Sequence, residues 1–95
     1  MDDFFAPPAF KPAEALQTLT RQLRDLRELQ ARGSGFEYSG KPVIKLEAMA
    51  ASLKISIAKH PAMSPVWEEL NLQNSAEVRR CVDDIKLRLK RWADE

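Results

Sequence analysis

Leu46-Glu47-Ala48-Met49-Ala50-Ala51-Ser52-Leu53-Lys54-Ile55-Ser56-Ile57-Ala58 is the stretch whose secondary structure decides the fold. At helical spacing, Leu46, Met49, Ala50, Leu53 and Ile57 share one face, while Ala48, Ala51, Ile55 and Ala58 form a second stripe nearly opposite. The competing reading is a strand over Leu53-Lys54-Ile55-Ser56-Ile57, which the alanine-rich lead-in disfavours. The spacing therefore predicts a middle helix, apolar on two sides. Such a helix is either sandwiched at the centre of a domain or keeps one face for a partner. His60-Pro61 ends it, because a residue before proline is pushed out of the α region.

Working toward the N-terminus, Phe36-Glu37-Tyr38-Ser39-Gly40-Lys41-Pro42-Val43-Ile44 places β-favouring residues on both sides of a Ser-Gly turn signal and reads as a short hairpin. Before it, Leu16, Leu19, Leu23 and Leu26 repeat at helical spacing behind Pro12, which suits the first position of a helix, and Gly33 is the expected stop. Arg21–Asp25, Arg24–Glu28 and Glu28–Arg32 fall at i,i+4 on that helix and read as a solvated, salt-linked face. Residues 1–11 hold Phe4, Phe5 and Phe10 among prolines that forbid regular helix, and read as an extended Phe/Pro tail.

Toward the C-terminus, Ser64-Pro65-Val66-Trp67-Glu68-Glu69-Leu70 has the hydroxyl cap, proline and early acids of a helix start, and predicts a helical turn of one or two turns. The last twenty-odd residues carry the clearest signal. Val78, Cys81, Val82, Ile85, Leu89 and Trp92 recur at three- and four-residue spacing behind Asn74-Ser75-Ala76-Glu77, an N-cap followed by a reciprocal glutamate. The expected fold is therefore mainly α: three principal helices, a short helical turn near Trp67, and a small β-hairpin between helices 1 and 2. Residues 12–95 form one small helical domain in this reading.

Composition bounds the function. With 44% apolar and 31% charged residues in 95, the chain has the make-up of one compact domain. Fifteen bases against fourteen acids leave +1, and the halves balance separately, with seven of each sign in residues 1–47 and eight bases against seven acids in 48–95. There is no global field to attract nucleic acid or anionic lipid. A single cysteine excludes an internal disulfide, and Asp2 and Asp3 stand where a signal peptide would need positive charge, so a cytoplasmic location is expected. No apolar run is long enough for a membrane span.

Candidate chemistry is sparse. His60 and Cys81 are the only residues of their kinds, so a metal would need carboxylates for its other ligands, and none has ligand spacing. Cys81 sits on the apolar stripe of its helix, where thiols are inert packing. Glu68-Glu69 and Asp83-Asp84 are neighbours that diverge by about 100° on a helix and cannot converge on a substrate. The three glycines make no phosphate-binding loop. No catalytic residue, cofactor or metal is expected.

The last helix carries Arg79, Arg80, Lys86, Arg88, Lys90 and Arg91, yet these straddle the core stripe with Glu77, Asp83 and Asp84 interleaved, unlike a recognition helix. Leu87 projects away from the core direction and is expected in solvent. The function expected is a non-enzymatic protein-interaction or regulatory module, its partner another protein or a second copy. Phe4, Phe5, Phe10, Ile55 and Leu87 are its candidate partner-binding residues. A small DNA-binding regulator using the basic last helix is the alternative, and an enzyme using Cys81 with His60 a distant third.

Overall fold

The computed structural model describes residues 10–94. The chain runs α1 (Pro12–Arg24), β1 (Leu29–Arg32), β2 (Gly35–Tyr38), β3 (Lys41–Ala48), β4 (Leu53–Ala58), β5 (Trp67–Leu72) and α2 (Ser75–Ala93). The five strands form one antiparallel meander in sequence order. The described residues thus form an α+β fold with a five-stranded sheet and two helices, and the mainly helical, three-helix expectation is overturned.

The middle helix does not exist. Its sequence is instead the end of β3, a turn at 49–52 closed by the Met49 N–H donating to Ser52 O at 2.8 Å, and the whole of β4. In strand form Leu53, Ile55 and Ile57 fall on one face, opposite Ala48, Leu46 and Ile44 of β3, and all three are fully buried. The preference of alanine for helix amounts to at most about 0.7 kcal/mol per residue. Against this, β4 is paired along both edges, so its backbone is satisfied and its β-branched side chains pack on cross-strand neighbours.

The helical turn expected near Trp67 is likewise strand. Glu68 and Glu69, read as first-turn acids, are successive residues of β5 and point to opposite faces. The first helix is shorter than its leucine repeat suggested, ending at Arg24 with Asp25 as C-cap rather than at Gly33. Leu26 and Leu29 close tight turns onto Leu23 and Leu26, and Leu29 opens β1. Arg32 consequently meets Glu37 across β1 and β2, at 3.5 Å, instead of Glu28 along a helix.

The hairpin at 36–44 is present, embedded in the larger sheet as β2 and β3. Ser39 and Gly40 both have positive φ, 52° and 80°, the conformation of a type I′ turn, whose twist matches that of the strands. β2 carries an irregularity between Phe36 and Glu37. Gly35 is dictated by space: a Cβ there would lie 2.1 Å from Ile44 O.

α2 matches its sequence signature. The Asn74 side chain accepts from Glu77 N–H at 2.9 Å, and Glu77 Oε1 accepts from Gln73 N–H at 2.7 Å. Val78, Cys81, Val82, Ile85, Leu89 and Trp92 are all buried, with Trp92 tilted against Tyr38 of β2 at 5.5 Å between ring centroids. α1 packs on β1, β3, β4 and α2, and α2 on β5. Both helices cover the sheet face that carries Ile44, Leu46, Leu53, Ile55 and Ile57, forming two layers around one core.

Candidate functional site

Strand parity sorts the sheet into a covered face and an uncovered one. Cross-strand rows on the uncovered face run Lys45–Ser56–Glu69 and Glu47–Lys54–Asn71. Lys54 Nζ lies 3.6 Å from Glu69 Oε2, and Lys45 Nζ stands over the Trp67 ring, 4.6 Å from its centroid. Arg32, Lys45 and Lys54 are matched in number there by Glu37, Glu47 and Glu69. A surface that stacks and steers single-stranded nucleic acid needs several free aromatic faces in a positive field. This face has balanced charge, and its Trp67 is already engaged by a lysine.

The edges of the sheet are β1 and β5. β1 is four residues long. β5 is six, Trp67–Leu72, with no proline, lysine or bulge within it, and its outer side has no strand neighbour among the described residues. Alternate N–H and C=O groups along that side are therefore unpaired by sheet. Leu70, on the helix-covered side of β5 opposite Ile55, is 39% exposed.

The edge is braced from α2. Arg88 is 12% exposed and reaches down to the sheet, its Nη2 2.6 Å from Glu68 Oε1, its Nε 2.9 Å from Asp84 Oδ2, and its Nη1 donating to Ala58 O at 3.2 Å. Burial alone would lower the Arg88 pKa, but hydrogen bonds to Glu68 and Asp84 outweigh it and hold the guanidinium above its ordinary value. The same hydrogen bond, aided by the charge of Arg88, holds the Glu68 carboxyl below its usual range. Sequence reasoning missed this cluster because its signal was split: Asp84 and Arg88 were visible at i,i+4, but Glu68 joins them only once 67–72 is a strand.

The other candidates fall as follows. Phe4 and Phe5 lie outside the described residues. Phe10 is half-buried against the core and lines a groove between α1 and the start of α2, with Ala15, Thr18, Val78 and Arg79. Ile55 is fully buried at the centre of β4, beneath the helices. Leu87 is 67% exposed, as its position on the helix predicts. The candidates thus occupy three separate places, and the β5 edge is the surface they did not mark.

Cys81 is buried, and desolvation pushes its thiol up to about 11, which makes the thiolate a nucleophile requires scarcer. His60 is exposed in the connection after β4. Among the described residues no three His, Cys, Asp or Glu side chains are grouped to hold a metal, and no helix is long and apolar enough to cross a membrane. Of the basic residues of α2, Arg79 and Lys86 line a cleft against α1 together with Asp25 and Asp83, while Arg88 turns to the sheet. They do not share one outward face. Comparison with protein-family models, curated proteins and solved structures finds no match to this chain.

Proposed function

We propose that this chain is a non-enzymatic protein-interaction module whose docking element is the outer edge of β5, onto which an extended segment of a partner is added as a sixth strand. The observation that carries the reading is the state of that edge: six residues of regular strand with no proline, lysine or bulge, whose one inward-pointing charge, Glu68, is already compensated by Arg88. Strand addition draws affinity from main-chain hydrogen bonds and specificity from alternate side chains. Leu70 supplies an apolar contact on one side of the new strand, and Glu69 and Asn71 supply polar contacts on the other. The brace from Arg88 to Glu68 and Ala58 O ties the edge to α2 before a partner arrives, which lowers the ordering cost of binding. A cytoplasmic setting belongs to the same reading, its support being that the single cysteine is a buried free thiol.

Hydrogen–deuterium exchange with a captured partner tests the proposal. Outward-facing β5 amides should gain protection in the complex, and Leu70→Lys, which puts a charge on the edge at a half-open position, should keep the native circular dichroism and lose binding. Full binding by Leu70→Lys, with protection appearing on another surface, would overturn it.

A further inference from the structure

The strand that the β5 edge is built to receive can be identified from its own register, given the edge-docking reading above. Side chains of β5 alternate between faces: Glu68, Leu70 and Leu72 oppose Ile57, Ile55 and Leu53 on the covered side, whereas Glu69 and Asn71 oppose Ser56 and Lys54 on the uncovered side. If two copies of this strand pair antiparallel about a two-fold axis normal to the sheet, directly opposed residues must lie on the same face. One residue then faces its own copy across the axis, and the axis never falls between two successive residues of the register. Only a few registers remain. Centring on Glu68 or Glu69 sets a glutamate against its own copy, with like charges directly opposed. Centring on Trp67, Asn71 or Leu72 leaves an overlap of three strand residues or fewer, the last two running toward the start of α2, whose N-cap is Asn74.

Centring on Leu70 gives each residue from Glu68 to Leu72 a compatible counterpart. Leu70 meets Leu70 of the second copy, which buries the apolar side chain that is 39% exposed in one chain. Glu69 meets the side-chain amide of the second copy's Asn71, a donor facing a carboxylate, and the symmetric pair repeats it. Glu68 meets Leu72, but its carboxylate is already held at 2.6 Å by Arg88, so no charge is stranded. Such pairing is isologous and closes at two copies, whereas joining β5 of one copy to β1 of the next would propagate without limit. β1, four residues long, is the blunted edge.

We infer that the partner of the β5 edge is a second copy of this chain, paired antiparallel through Glu68–Leu72 with the two Leu70 residues facing each other across the two-fold axis, making one continuous ten-stranded sheet. The test uses the full chain. Sedimentation equilibrium should show a concentration-dependent dimer, and Leu70→Lys should raise its dissociation constant by about tenfold or more, because two lysines would then face each other. Under mild oxidation with oxidised glutathione, Leu70→Cys should form a 70–70 disulfide faster than Glu68→Cys or Glu69→Cys, since only residue 70 faces its own copy at a Cα separation of about 4.5–5.5 Å, within disulfide range. The buried Cys81 stays out of the reaction.

A dimer unaffected by Leu70→Lys, or fastest cross-linking through Glu68→Cys or Glu69→Cys, would overturn the pairing. A wild-type chain that stays monomeric throughout would also overturn it. In that last case the edge-docking reading stands if Leu70→Lys still abolishes capture of an extended partner, and falls with the pairing if it does not.

Discussion

Arg88 is the residue through which α2 holds the edge of the sheet. Its guanidinium satisfies two carboxylates and one carbonyl in fixed geometry, which a lysine could not reproduce. Arg88→Leu leaves Glu68 and Ala58 O without this donor, and urea denaturation should show a loss of about 1–2 kcal/mol. The pair also sets an acid limb. The carboxyl of Glu68 is lowered in the folded state, first by the hydrogen bond from Arg88, so the stability it lends is present above the ordinary value of 4.5. That stability is lost as pH falls from there through the lowered folded value. Unfolding measured near pH 6 and near pH 3 should show wild type losing more stability than Glu68→Gln, which has no such proton to take up. Equal losses would mean that other carboxylates dominate the acid response.

Elements divide into those whose signal is local and those whose signal is not. α2 was legible because cap, reciprocal glutamate and apolar stripe are all written within its own residues. The β2–β3 turn was legible because Ser39-Gly40 is a turn dipeptide between two β-favouring runs, with Gly40 able to take the positive φ the turn needs. Residues 46–58 were not, since Leu46, Met49, Leu53 and Ile57 satisfy helical spacing while Leu53, Ile55 and Ile57 also satisfy alternation. A short apolar run fits either period. What decides between them is the presence of β3 and β5 on the two sides of β4, which is information held elsewhere in the chain. The β5 edge was hidden for the same reason: Ser64-Pro65 with two acids imitates a helix start, and only Leu87 among the candidates was placed in solvent by periodicity alone. Gly35 gives a test of the sheet itself. Gly35→Ala drives a methyl group into the Ile44 carbonyl at 2.1 Å, so β2 must part from β3, at a cost above about 2 kcal/mol. Gly33→Ala meets open space and carries only the strain of φ +57°, about 1–2 kcal/mol. Thermal melts that ranked Gly33 as the costlier site would contradict the β2–β3 register.

At the scale of the molecule, two helices share one face of a sheet and a single core runs between the layers. The two tryptophans report on different parts of it: Trp92 lies in the helix–sheet interface, and Trp67 lies on the uncovered face under Lys45. If the layers are one cooperative unit, Trp67→Phe and Trp92→Phe variants should each give a fluorescence transition that coincides with their own far-ultraviolet circular dichroism transition. A fluorescence transition of Trp92 that ran ahead of the circular dichroism would show α2 leaving the sheet first.

Cys81 turns that cooperativity into something that can be timed. The thiol sits under α2 with its pKa raised from 9.0 to about 11, so near neutral pH its thiolate is about a hundredfold scarcer than that of an exposed cysteine, and reagent cannot reach it. Modification therefore waits for the helix to lift. The labelling rate in the native protein, divided by the rate for the unfolded chain, is the equilibrium constant for that opening. With one cysteine in the chain, a single mass shift reads it without mutation, and every contact that secures α2 to β5 can be weighed by how much it lengthens the wait.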